Sequence, residues 1–307
     1  MTLWEIFKNN FNLIIDDINE YLTIKNFCIN FENNFLLYGH CGFPYDLFID
    51  EIIKKKFNIH HIYRTESIWN KSIIYNENQY FFEIDLDNPN MPKKLNALTD
   101  MLLFIIKRKA IIGNKHLIII KNIDKLDNYF FAFRIILEKY QHNCYFICTT
   151  NKINKIENPI KSRFSLFRLR LFTNNEIKQI FDTYLHVKLH PFLIKNNCRD
   201  IIFAIFICQT YIYEPSLVTD DFCNLNYPPI VSFINSNYTL NDIRQLSYKY
   251  CQYNLSIKDL TLDLLKISKK KYQLIIEESV KIEHLLNHSN KGREPIYLEA
   301  LLCQLFI

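Results

Sequence analysis

Residues 39–46, Gly-His-Cys-Gly-Phe-Pro-Tyr-Asp, lie between a short apolar run, Asn34–Tyr38, and a stretch, Asp46–Lys55, whose apolar residues recur at helical spacing. A glycine loop at such a strand-to-helix junction can aim backbone N–H groups at a phosphate. Triphosphate chemistry there also needs a lysine for the β- and γ-phosphates and a hydroxyl for Mg²⁺. The segment keeps Gly39 and Gly42, but Pro44 stands where the last glycine would be, Tyr45 replaces the lysine and Asp46 the hydroxyl. Proline has no N–H to offer, and an aspartate repels a triphosphate. The spacing therefore predicts a phosphate loop without its phosphate chemistry, and a plain strand-to-helix turn fits the segment as well.

Other reactive side chains are scattered. The nine cysteines form no Cys-x-x-Cys pair, and the nine histidines, His60-His61 included, have no ligand spacing, so no metal site is expected. Ser162-Arg163, taken alone, reads as a surface pair at the start of a strand.

The elements that must position these residues alternate. Tyr80–Ile84 is an apolar run ending in the turn cluster 85–90, and Pro92 opens a helical pattern reaching about Lys109. Leu117–Ile120 and Cys144–Thr149 have the composition of strands buried on both faces, with a helix at Tyr129–Tyr140 between them. Lys161–Leu171 alternates polar and apolar residues. This order predicts an α/β fold, a doubly wound parallel sheet over residues 1–171. Thr173-Asn174-Asn175-Glu176 is a capping box that opens a helical segment, 172–215. A polar, Pro-containing linker candidate follows at Glu214–Pro229, and an all-helical region covers 228–307.

Composition agrees with several compact domains. The chain has 307 residues, 49% hydrophobic and 22% charged, with 25 Phe and 19 Tyr but only 4 Gly, which excludes a disordered or turn-rich chain. Its net charge of +5, from 37 basic and 32 acidic residues, is too small to argue nucleic-acid binding. No apolar run is long enough to span a bilayer, Ile201–Cys208 being the strongest. The first residues lack the pattern of a secretory signal, so a reduced, non-secreted protein is expected.

Several further segments resemble the small subunits of replication factor C, the clamp-loader branch of the AAA+ proteins. Leu117–Leu126 resembles the strand whose end carries an Asp for Mg²⁺ and a Glu for water; here Lys121 and Asn122 hold those places. Phe133–Tyr140, Cys144–Asn151 and Pro159–Phe164 resemble that family's "LRRxxEKY" helix, its strand ending in Asn and its "PIxSRC" element, in the same order. Arg163 matches the arginine that enters a neighbouring subunit's ATP site, with Ser162 before it and Phe164 in place of Cys. Met1–Trp4 is similar to the "SLW" opening of the subunit at the end of the loader spiral, while Glu5–Asn9 has lost its adenine-side sequence. Asn151 falls on the sensor-1 position, Asn196–Ile202 resembles the "RNLRKAL" lid helix and so puts Arg199 on sensor 2, and Ile282–Lys291 with Tyr297–Ala300 resembles the same subunit's collar helix.

The resemblance implies an AAA+ RecA-like domain (1–171), a helical lid (172–215) and a helical collar (228–307). It implies a non-hydrolysing pseudo-ATPase that binds no cofactor, its partner subunits holding ATP and Mg²⁺, with residual ADP binding left open. The implied partners are other replication factor C-like subunits in a hetero-pentamer, a PCNA-like sliding clamp and primer–template DNA, with no membrane. The implied location is the nucleus, or a cytoplasmic replication compartment for a virus-encoded chain. DNA contacts are expected at two helix N-termini, Lys93 and Lys94, and Lys125 and Asn128; a solvated face explains the first pair as well. A clamp contact is expected at Leu102–Lys109 through Phe104, Ile105 and Ile106, residues that a core-facing helix would equally explain. Two rival readings are an ATPase acting with its own site and a structural AAA+-like protein unrelated to clamps.

Overall fold

The computed structural model describes residues 2–30, 32–70, 72–88, 90–91, 96–126, 129–195, 198–215, 218, 239–252, 257–267, 272–287 and 294–306. Two compact units divide at residue 209, Met1–Gln209 and Thr210–Ile307.

The first unit is built on a sheet of β1 (Phe35–Gly39), β2 (Thr65–Trp69), β3 (Ile73–Glu77), β4 (Phe81–Asp85), β5 (His116–Lys121), β6 (Cys144–Thr150) and β7 (Ser165–Leu169). Their order across the sheet is β2-β3-β4-β5-β6-β1-β7. From β4 to β7 all neighbours are parallel, in registers such as Leu36↔Cys148 and Leu36↔Leu166 around β1. This is the α/β parallel-sheet fold class expected from the sequence. The difference lies at one edge, where β2 and β3 run antiparallel and extend the sheet beyond β4. Thr65–Trp69 is half-exposed and short, so an edge strand there leaves no apolar run to read.

Alternation along the central strands divides the core. Leu36, Ile118, Ile120, Phe146 and Cys148 face one side, packed with Met101, Leu102 and Ile106 of α4 (Asn96–Ile106) and Phe133 and Ile136 of α5 (Phe130–Lys139). Phe35, Leu37 and Ile119 point to the other side and are as deeply buried, as are Phe48, Ile49 and Ile52 of α3 (Tyr45–Phe57). The N-terminal segment forms α1 (Leu3–Asp16), opened by a capping box between Thr2 and Glu5, with Phe7 and Phe11 wholly buried, and then α2 (Asn19–Asn30). The segment read as an eroded adenine-side motif, Glu5–Asn9, is thus the first turns of an amphipathic helix.

Beyond the sheet, α7 (Asn174–Ile180) starts at the expected capping box, Thr173 with Glu176, and α8 (Pro191–Lys195) and α9 (Ile201–Tyr213) follow. The second unit holds helices Leu240–Gln252, Ile257–Ile267, Tyr272–Asn287 and Glu294–Phe306 around Leu246, Leu260, Leu264 and Leu301. Most of the linker candidate lies outside the described residues. Among the described residues no helix is long and apolar enough to cross a membrane.

Candidate functional site

In a sheet wound in both directions, the crevice forms at the carboxyl ends of the strands where the order reverses, here beside β1. A cleft of ≈ 290 Å³ occupies that place, bordered by Pro44, Tyr45, Asp46, Asp85, Lys121, Asn122, Thr149 and Asn151, with Trp4 and Ile202 at its rim. Three sequence segments that contain the expected phosphate-loop, strand-end and sensor-1 residues therefore meet, because β1, β5 and β6 all end on the same edge.

Three amides of the loop after β1 bond within the loop itself. The Gly42 N–H donates to His40 Nδ1 at 3.1 Å. Those of Phe43 and Tyr45 donate to the carbonyls of His40 and Phe43 at 3.2 and 2.9 Å, and Pro44 has no N–H. Both glycines have packing reasons. A methyl group on Gly39 would lie 2.1 Å from the Leu169 carbonyl oxygen and 2.7 Å from the Tyr45 hydroxyl; one on Gly42 would lie 2.5 Å from the Asp200 carboxylate. Tyr45 folds under the loop against Phe43, ring centroids 5.4 Å apart. Among the described residues its buried hydroxyl has no hydrogen-bond partner, and burial pushes its pKa up.

Charge in the cleft is organised around Lys121. Its ammonium lies 2.9 Å from Asp46 and 3.1 Å from Glu83. Glu83 in turn receives the Arg64 guanidinium at 3.0–3.2 Å, and Arg64 also holds Asp50. Glu83 is 3% exposed. Burial alone would raise its pKa, but the charges of Lys121 and Arg64 outweigh that and hold it below the ordinary carboxylate value. Lys121 is the mirror case: burial opposes its charge, and Glu83 and Asp46 overcome it to raise its pKa.

Asn122 adopts a left-handed backbone, φ 55°, and donates from its side chain to Asp85 at 2.9 Å. Its N–H bonds the Thr149 hydroxyl at 3.3 Å, joining the ends of β5 and β6. Asn151 lies exposed at the cleft. Arg199 does not join them, since its guanidinium donates to the carbonyls of Phe172 and Leu171 at 3.2 and 3.3 Å. The neighbouring Asp200 reaches the loop instead. Glu83, Arg64, Asp50 and Asp200 were not singled out by sequence; the signal available was a charge, Glu83, inside the apolar run of β4.

Arg163 occupies the opposite edge. It follows α6 (Asn158–Lys161) and precedes β7, whose first residue, Ser165, pairs with Phe35 at the start of β1. The cleft begins after Gly39, so the length of the sheet, about 15–20 Å, separates the two. Arg163 is ion-paired with Glu138 and donates to the Ser162 hydroxyl at 3.2 Å and to the Pro159 carbonyl. Phe164 is buried against Phe133, centroids 6.4 Å apart, which seats the arginine beside α5. Of the expected DNA contacts, Lys93, Lys94 and Asn128 lie outside the described residues, and Lys125 is ion-paired with Asp87 at 3.0 Å. In the segment expected at a clamp, Ile105 and Ile106 face the core, whereas Phe104 is 38% exposed. Phe104 packs on Trp69 at 4.4 Å beside a ≈ 450 Å³ cavity, beneath the Arg108 guanidinium.

Among the described residues no three His, Cys, Asp or Glu side chains group as metal ligands. No family model and no curated protein matches the chain. Among solved structures, it is similar to a DNA polymerase III gamma subunit-related protein from Thermotoga maritima, at 12% identity over 92% of this chain and 98% of that one, TM-score 0.45. Two RuvB variants from Thermotoga maritima align at 12% and 14% identity, both with TM-score 0.42, over 73% and 88% of this chain and 75% and 86% of theirs. All three scores are low, so the fold class rests on the strand order and register.

Proposed function

We propose that this chain is a non-hydrolysing subunit of a replication factor C-like clamp loader, one that binds no Mg·ATP itself and offers Arg163 to the ATP site of a neighbouring subunit. The placement of Arg163 carries this reading. A guanidinium at the amino-terminal edge of β7 is too far from its own cleft to act there, so any role in phosphate chemistry must be in trans. In that role it would stabilise charge developing on the transferred phosphoryl group, while Ser162 and Pro159 orient it.

The cleft supports the other half of the reading. Mg·ATP would need loop amides facing outward, a cation at residue 45 and an acid at residue 121. The amides of Gly42, Phe43 and Tyr45 bond within the loop, Tyr45 is tucked under it, and Lys121 is an ammonium already held by Asp46 and Glu83. These residues do not fit the group. Phe104 with the adjacent cavity is the proposed clamp contact, and Lys125 a proposed DNA contact.

Co-expression with candidate partner subunits, followed by ATPase measurement, tests the proposal. Arg163→Ala should lower the assembled complex's turnover at the adjoining site by about 10³-fold or more and leave assembly intact. Unchanged turnover in an intact complex would refute the assignment.

A further inference from the structure

Asp46 and Asp50 stand one helical turn apart on α3, on one face. Each meets a different cation, Lys121 at the end of β5 and Arg64 just before β2, and both cations converge on Glu83 of β4. The result is a closed ionic circuit, from the helix through Lys121 to the sheet and back through Arg64. In a phosphate-loop ATPase, the first residue of this helix that faces the site and the acid at the strand end are joined through the metal they both hold. Here the strand-end residue is a cation and the helix residue an anion, so the two attract each other directly.

We propose that this circuit takes the structural place of a metal–nucleotide, tying the start of α3 to the strand ends so that the sheet unit keeps one conformation without any nucleotide. The inference rests on the reading that the cleft holds no Mg·ATP. Two features agree with it. The circuit anchors α3 at two successive turns, which resists rotation as well as translation of the helix. The loop before α3 is closed by its own hydrogen bonds, so its conformation asks for no ligand.

Amide hydrogen exchange on the full chain, without nucleotide, tests the tie. Lys121→Met should speed exchange in the first turns of α3 at least tenfold, and Lys121→Arg should restore most of the protection. Should Lys121→Met fail to fold, Asp46→Asn removes only the exposed end of the circuit and should speed exchange at the helix start severalfold. Unchanged exchange in Lys121→Met, or in Asp46→Asn if the former does not fold, overturns the proposal. A separate arm adds millimolar Mg·ATP to the wild-type chain. Exchange in α3 should not change; slower exchange there would sink the reading of a nucleotide-free cleft, whereas the variant arm is read with no nucleotide present.

Discussion

Glu83→Gln is the sharpest probe of the cleft, because the amide keeps the side chain's shape while it removes the charge and turns one acceptor oxygen into an NH₂ donor. Glu83 is 3% exposed and is shared by two cations. After the change, Lys121 retains Asp46 and Arg64 retains Asp50, so neither cation is stranded. Stranding a buried charge costs about 3–5 kcal/mol; with one carboxylate left to each cation, about 2 kcal/mol is expected. For a unit of this size that lowers Tm by about 4–8 °C. The effect has a sign in pH. Glu83 titrates below the ordinary glutamate value, about 4.3, so its stabilisation is complete above that value and is lost as pH falls through the lower folded one. The difference in Tm between wild type and variant should therefore be constant from pH 7 to about 5 and shrink below the ordinary value. Thermal unfolding followed by circular dichroism across this range gives the curve. A Tm unchanged at pH 7 would refute the claim that the circuit stabilises the sheet, and a difference that persists undiminished in acid would show that charge is not the cause.

Two further changes probe the loop. Gly39→Ala would press a methyl against the Leu169 carbonyl at 2.1 Å and should cost at least about 1–3 kcal/mol; chemical denaturation showing no loss would mean that β1 and β7 are spaced more widely at this point. Tyr45→Phe deletes a buried hydroxyl that has no partner among the described residues. It should raise stability by about 1 kcal/mol, and a loss of that size would point to a hydrogen bond that the hydroxyl makes in solution.

Much of the site was legible because its signals are local. A glycine loop between an apolar run and a helical pattern fixes a strand-to-helix junction, and the buried runs Leu117–Ile120 and Cys144–Thr149 fix two more strands of a parallel sheet. The capping box at Thr173 marks a helix start in four residues. The residue types at Tyr45, Asp46, Lys121 and Asn122 are legible at once; what they stand in place of rests on the resemblance to the AAA+ pattern. Arg163 could be singled out from the order of its flanking segments.

What the sequence left open depends on which atoms the fold brings together. Nothing in the spacing of residues 46, 50, 64, 83 and 121 announces a common circuit; it exists because β4 and β5 are neighbours and α3 brings Asp46 to Lys121 and Asp50 to Arg64. Nor could the loop's composition tell whether its amides face outward or inward, since that turns on His40 and on the crowding of Gly39 and Gly42 by Leu169 and Asp200. Arg199 illustrates the limit: its position along the chain suggests the cleft, yet the backbone carbonyls of Leu171 and Phe172 take its guanidinium and Asp200 meets the loop. The residues themselves give a tyrosine and an acid after the glycine loop and a lysine at the end of an apolar strand. That Asp46 and Lys121 bond to each other follows from the fold, because Coulomb attraction between them acts at the 2.9 Å that folding creates and not over the 75 residues that separate them in the chain.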